Sequence, residues 1–194
     1  MLIAEYLERV IAQFKSGQAT EHSYRPALND LFQSIDPALT VINEPKQSEG
    51  GMPDFMFQRH GVPIGWAEAK DIDKDVIKLK GYSVEQRKRY EAAYPNLIYT
   101  NGVDFEFIRD GEPVHFVSIA DFLMGLQPVP EKFEELERQL ERLHRQAQAA
   151  EHPEQHRAGC MRVAQVQQQV ARRHHHEGYR HAGQQQALAV QPTT

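Results

Sequence analysis

Two acidic residues and a lysine, set in an apolar stretch of the chain, have the side chains needed to hydrolyse a phosphodiester bond. Pro53-Asp54 is followed fourteen residues later by Glu68-Ala69-Lys70. The carboxylate oxygens of Asp54 and Glu68 suit a hard divalent cation such as Mg²⁺. Such an ion polarises a phosphoryl oxygen and lowers the pKa of a bound water. A lysine beside it orients that water or offsets the charge that develops on the phosphate. These three side chains are therefore the candidate catalytic residues, and Asp54 and Glu68 are the candidate metal ligands.

The strands around these residues are predicted to bring them together. Side chains alternate between the two faces of a strand, so Glu68 and Lys70 should point the same way. Asp54 follows a glycine-rich bend, and a Gly-Pro turn joins its strand to that of Glu68, so the three side chains should meet across a hairpin. Apolar residues flank the motif, and a buried charge is costly unless a metal or an ion-pair partner compensates it. The alternative interpretation is a solvated Glu-x-Lys on an exposed strand.

The pattern of the whole chain predicts an α/β core, a sheet with flanking helices. Helices are predicted over residues 2–15, 20–35 and 83–94, the first two from apolar residues at helical spacing. Strands are predicted over residues 40–43, 97–100, 104–109 and 114–117, together with the hairpin over 54–70. Ser118 is predicted to cap a short helix that runs to Leu126.

The chain beyond residue 128 is predicted to leave this core in two steps. Residues 131–150 read as a charged helix whose narrow apolar seam fits either a coiled coil or connector, or a helix packed along the core. From residue 151 onward, glutamine, histidine, arginine and alanine dominate, and such a segment buries too little apolar surface to offset its ordering entropy. The predicted organisation is a domain over 1–128, a connector helix over 129–150 and a disordered tail over 151–194.

Composition indicates a cytoplasmic protein. A single cysteine, Cys160, excludes a disulfide framework. The N-terminus lacks the layout of a signal peptide, and no apolar run approaches the roughly 18 residues that span a membrane. A net charge of −5 is unfavourable for binding DNA. The basic residues nevertheless cluster around and after the motif, at Lys70, Lys74, Lys78, Lys80, Arg87, Lys88 and Arg89. The sequence therefore predicts a local basic surface for a nucleic-acid backbone, and weak binding by this piece alone.

The motif resembles that of the PD-(D/E)xK nuclease superfamily, which includes many restriction endonucleases. Pro53-Asp54 and Glu68-Ala69-Lys70 carry the resemblance. Gln86 and Tyr90 are similar to a Gln-x-x-x-Tyr element on the helix after the catalytic strands, and Glu21 is similar to an acidic residue that the first core helix often aims at the metal. Over residues 1–128 the chain looks most like the N-terminal nuclease domain of large restriction-modification polypeptides of the type ISP and type IIG kinds.

This resemblance implies a restriction-endonuclease-like core with a mixed central sheet, and a DNA endonuclease that depends on Mg²⁺, for which Mn²⁺ substitutes. It implies that Asp54 and Glu68 bind the metal, that Lys70 positions or activates the attacking water, and that Glu21 completes the acidic site. The implied partners are DNA and a methyltransferase or translocase module that is missing from a truncated chain.

The resemblance leaves open the role of the helix after the catalytic strands, and it leaves open whether the protein is active. Gln86 and Tyr90 either hold the active-site helix or contact the DNA backbone. One alternative function is a catalytically silent module with a nuclease fold that binds DNA or a partner protein. The other is a stand-alone repair or defence nuclease.

Overall fold

The computed structural model describes residues 2–47, 50–123 and 125–150, with the side chains of the last helix described as far as Arg142. The helices are α1 (Ile3–Lys15), α2 (Glu21–Ser34), α3 (Tyr82–Ala93) and α4 (Phe133–Ala150). The strands are β1 (Leu39–Asn43), β2 (Phe55–Arg59), β3 (Val62–Ala69), β4 (Asn96–Thr100), β5 (Asp104–Arg109), β6 (Glu112–Ser118), β7 (Ala120–Phe122) and β8 (Leu126–Pro128). Within these described ranges, no helix is both long enough and apolar enough to cross a membrane.

Strands β1 to β6 form one mixed sheet in which the strands lie in chain order. Every neighbouring pair is antiparallel except β3 and β4, which run parallel. A parallel pair needs a crossover connection, and α3 lies in that connection. The predicted α/β fold, with a central mixed sheet, flanking helices and a C-terminal helix, is confirmed.

Two hydrophobic cores lie on opposite faces of the sheet. The first joins α1, α2 and α4 to the sheet and includes Tyr6, Leu28, Phe32, Phe55, Phe57, Ile98, Phe105 and Leu136. The second lies under α3 and includes Val76, Tyr90, Tyr94, Leu97, Tyr99 and Ile108. Along β4, Ile98 belongs to the first core and its neighbours Leu97 and Tyr99 belong to the second, as the alternation of a strand requires. The motif at the end of β3 therefore lies between a layer of helices on each face.

Helix α4 packs along the core, which is one of the two interpretations that the sequence allowed. Leu136 and Leu140 are fully buried in the first core, and His115 of β6 lies 2.8 Å from a carboxylate oxygen of Glu135. The chain divides into a compact unit over Met1–Ala147 and a second unit over Gln148–Thr194. The domain boundaries at residues 128 and 150 stay predictions, and the tail over 151–194 lies outside the described residues.

The short helix predicted from Ser118 to Leu126 is wrong, because this segment forms the β7–β8 hairpin. The Ser118 hydroxyl donates to the carbonyl of Ala120 instead of capping a helix. Ile119 provides a further reason, since its N–H donates to the Val103 carbonyl and its own carbonyl accepts from the N–H of Val129. These bonds hold the backbone extended, and an isolated helix of about two turns is too short to compete with them.

Candidate active site

Asp54, Glu68 and Lys70 meet at the end of β3, as the hairpin pattern predicted. The Lys70 ammonium lies 2.6 Å from Oε1 of Glu68, so the two side chains do point the same way. Across the hairpin, Oδ2 of Asp54 accepts a hydrogen bond of 2.8 Å from the backbone N–H of Ala69. The exposed fractions of the three side chains are 13% for Asp54, 6% for Glu68 and 13% for Lys70. Glu68 is therefore buried and Asp54 and Lys70 are largely shielded from solvent, which excludes the alternative of a solvated Glu-x-Lys.

Burial and mutual repulsion oppose the charged forms of the two carboxyl groups. Burial and, after it, the negative charge of Asp54 raise the pKa of Glu68 to about 7, although the positive charge of Lys70 acts against both. Burial also raises the pKa of Asp54, against the hydrogen bond from Ala69 and the positive charge of Arg25. Such a pair is stabilised by any cation that lies between its members.

The donor atoms fit a hard divalent cation that takes part of its coordination shell from water and substrate. Oε2 of Glu68 is buried and has no hydrogen-bond partner among the described residues. Mg²⁺ commonly binds through one or two carboxylates together with waters and phosphate oxygens. No group of three or more histidine, cysteine or acidic residues is arranged to hold a metal within the described part of the chain. The structure therefore offers the pair Asp54 and Glu68, not a complete protein cage.

Glu21 lies beside this pair but is engaged with an arginine. Its charge raises the pKa of both Asp54 and Glu68, so it belongs to the same electrostatic cluster. Its Oε1, however, accepts a hydrogen bond of 2.7 Å from Arg25, and its backbone N–H donates to Oδ1 of Asp71. That Glu21 reaches the metal stays a prediction.

Gln86 connects the lysine to helix α3. Its side-chain carbonyl accepts a hydrogen bond of 2.9 Å from the Lys70 ammonium, and its amide nitrogen lies 3.3 Å from the Tyr90 hydroxyl. Burial, with the charge of Glu68, raises the pKa of Tyr90 to about 12. Only 3% of Tyr90 is exposed. For Tyr90 this burial favours the role of holding the helix over contact with DNA.

The glycine-rich bend before Asp54 packs directly on α3. Gly51 has a φ of 119°, and a Cβ placed there would lie 2.7 Å from the Tyr90 ring. A Cβ on Gly50 would lie 2.4 Å from Cβ of Ala93 and 2.9 Å from the Tyr94 ring. The Tyr94 hydroxyl donates to the Gly51 carbonyl at 3.1 Å. Both glycines are therefore required for the close approach that places Asp54.

Arg25 is a site residue that the sequence analysis missed. Its guanidinium lies 2.5 Å from Oδ1 of Asp54, 2.7 Å from Glu21 and 2.9 Å from Glu44. Arg25 stands four residues after Glu21 on the same helix, and that spacing alone predicts an ion pair with Glu21. Its contacts with Asp54 and Glu44 depend on the tertiary fold and have no local signal.

Arg87 is held in an ion-pair network with its side chain 13% exposed, which corrects its assignment to the basic surface. It contacts Glu91 at 2.6 Å and Glu106 at 2.7 Å, and its guanidinium lies 5.2 Å from the centroid of the Tyr99 ring. With these partners Arg87 fixes α3 on the sheet and is not available to a phosphate. The members of the predicted cluster that are exposed are Lys74, Lys78, Lys80, Lys88 and Arg89.

Comparison with known proteins adds a likeness in fold. No family model matches the chain, and no curated protein matches it. Among solved structures, the chain is similar to one in a cryo-EM structure of a DrdV–DNA complex, with 21% sequence identity and a TM-score of 0.48. The match covers 58% of this chain and 12% of that chain. A likeness at this level carries no argument about fold or activity.

Proposed function

We propose that this chain is a metal-dependent endonuclease module that hydrolyses phosphodiester bonds of DNA. The observation that carries the proposal is the meeting of Asp54 and Lys70 with the buried Glu68, whose Oε2 has no hydrogen-bond partner among the described residues. A buried carboxylate oxygen without a hydrogen-bond partner costs the protein stability. A cation bound to it during function explains why the arrangement exists.

Asp54 and Glu68 would hold Mg²⁺, or Mn²⁺ in its place. A bound ion of this kind supplies a polarised phosphoryl oxygen and a water of lowered pKa. The residues of the chain then have separate tasks. Asp54 is fixed by the N–H of Ala69, and Glu68 is fixed by Lys70, so both carboxylates are oriented before a metal arrives.

Lys70 would orient the attacking water or stabilise charge on the phosphate. An ammonium has three N–H donors and no acceptor. Two of the donors are used by Glu68 and Gln86, which leaves one for a water or a phosphate oxygen. Gln86 contributes by holding Lys70 in this position. In this arrangement the Lys70 ammonium is placed to donate a hydrogen bond and to offset negative charge.

The exposed lysines and Arg89 on the loop after β3 and on α3 would contact the DNA backbone. The motif's resemblance to restriction-modification enzymes supports the proposal that this module serves anti-phage defence, with target recognition and methyltransferase or translocase functions on further modules. A stand-alone repair or defence nuclease would use the same site. A supercoiled circular substrate distinguishes an endonuclease, which cleaves the circle, from a nuclease that requires DNA ends, which leaves it intact.

A catalytically silent binding module is the second candidate, and one observation favours it. Arg25 ion-pairs with Asp54, so the carboxylate that should bind metal already has a cation. A silent module would bind DNA equally well with and without divalent metal, and would cleave nothing.

Cleavage of supercoiled plasmid with Mg²⁺ or Mn²⁺ tests the proposal. Asp54→Ala and Lys70→Ala are expected to abolish metal-dependent nicking. The matched controls are Asp30→Ala and Lys132→Ala, which remove the same residue types from exposed ion pairs with Arg9 and Glu135. Absence of cleavage by a folded wild-type chain that binds DNA without metal would favour the silent module. Cleavage that survives both site variants would place the activity elsewhere.

A further inference from the structure

A buried arginine stands among the carboxylates of the candidate metal site. Arg25 is 8% exposed and contacts three acidic side chains at 2.5 to 2.9 Å, those of Asp54, Glu21 and Glu44. Its Nε is buried and has no hydrogen-bond partner among the described residues. A guanidinium in this position balances the negative charge of the cluster in the metal-free protein.

Both oxygens of Asp54 are engaged in this arrangement. Oδ2 accepts from the backbone N–H of Ala69, which the end of β3 fixes in place. Oδ1 lies 2.5 Å from Arg25. A divalent cation that binds Asp54 has to share or replace one of these contacts. The side-chain contact is the one that is free to change, because a strand backbone cannot withdraw without disturbing the sheet.

Arg25 retains its ion pairs with two other carboxylates when its contact with Asp54 is broken. Glu21 lies on the same helix, and its side chain is 26% exposed. Glu44 has a side chain that is 61% exposed, so it moves with the guanidinium at little cost. Release from Asp54 therefore does not leave a buried cation without partners, and the exchange is reversible.

We propose that Arg25 is a positioning residue that serves as the internal counter-cation of this site. It holds Asp54 in the metal-free protein and yields Oδ1 of Asp54 to the incoming divalent cation. The competition lowers the affinity of the site for metal and keeps the carboxylates organised until metal is present. This inference rests on the proposed function, since it assumes that the metal binds Asp54.

Titration of the full chain with Mn²⁺ by calorimetry tests the exchange. Arg25→Met removes the cation and keeps an apolar stem of similar length, so it is expected to bind Mn²⁺ roughly tenfold more tightly than wild type. Its melting temperature is expected to fall without metal and to rise more than that of wild type when Mn²⁺ is added. Arg9→Met, which removes an exposed arginine from the pair with Asp30, is expected to bind Mn²⁺ like wild type.

A second measurement needs no loss of Arg25 and covers the case in which Arg25→Met does not fold. The side-chain nitrogen resonances of Arg25, assigned in the wild-type chain by through-bond correlation to its own backbone, are expected to shift when Mg²⁺ is added. Unchanged resonances at saturating Mg²⁺ would overturn the inference. The inference would also be overturned if Arg25→Met bound Mn²⁺ no more tightly than wild type. This comparison holds when Asp54→Asn abolishes Mn²⁺ binding, which shows that the metal binds Asp54. Metal binding that does not depend on Asp54 in any variant would overturn the proposed metal site itself.

Discussion

Glu68→Gln removes a charge that burial makes unfavourable and keeps the size of the side chain. Burial raises the pKa of Glu68 from 4.5 to about 7 in the folded protein. The native state therefore holds this proton more tightly than the unfolded chain does. The resulting stability is fully present below the unfolded pKa of about 4.5 and is lost as the pH rises through the folded pKa.

The size of the effect follows from the difference between the two pKa values. A difference of about 2.5 corresponds to about 3 kcal/mol, of which about 2–3 kcal/mol falls between pH 5 and pH 8. Solvent screening reduces this little, because the side chain is 6% exposed. Over that pH range, the free energy of unfolding of Glu68→Gln should rise by this amount relative to that of wild type.

Urea unfolding followed by the fluorescence of Trp66, the only tryptophan of the chain, measures both proteins across this pH range. Trp66 reports on the domain because its ring lies 4.6 Å from that of Tyr94. Glu134→Gln, at a side chain that is 87% exposed, is the control and should follow wild type. A constant difference between wild type and Glu68→Gln at every pH would refute the argument. Added Mg²⁺ should flatten the wild-type profile, because a cation on Glu68 favours its charged form.

Gly51→Ala is expected to cost about 1–3 kcal/mol of unfolding free energy, because the positive φ and the 2.7 Å approach to Tyr90 both exclude a Cβ. Gly61→Ala, with a φ of 79° and no atom within 4 Å of the added Cβ, isolates the backbone strain, and an equal loss in both variants would contradict the contact argument. Arg87→Met is expected to cost about 3–5 kcal/mol in urea unfolding, because it leaves Glu106, which is 4% exposed, without this ion pair. Adding Glu106→Gln should recover part of the loss, and the absence of recovery would show that the pair is not the cause.

Much of the fold could be predicted because its signals are local. The strand over 104–109 was predicted with the bounds that β5 has, since alternating side chains between two turn signals leave little choice of register. The prediction of a helix over 118–126 was wrong because the structure of this segment depends on contacts that are distant in the sequence. Its extended backbone depends on hydrogen bonds to Val103 and Val129. A serine before a few apolar residues does not predict these bonds.

The same distinction applies to the site. Glu68 and Lys70 share a face because they are two residues apart on one strand, so their contact was predictable from periodicity alone. Arg25 reaches Asp54 only because α2 packs on the hairpin. The sequence assigned Arg87 to a basic surface, but its guanidinium pairs with Glu106, which lies on β5, further along the chain. Charge counts in a sequence do not distinguish a solvated cation from one paired in the interior.

The single parallel pairing of the sheet has a consequence for the order of folding. The β2–β3 hairpin joins neighbouring segments, and hairpins of this kind form within about 1–10 μs. The pairing of β3 with β4 must wait for the longer crossover to close, which costs more chain entropy. We therefore expect Glu68 and Lys70 to meet while water still surrounds them, and α3 to expel that water afterwards. The kinetic barrier of this step should then include the free energy of removing water from the ion pair of Glu68 and Lys70.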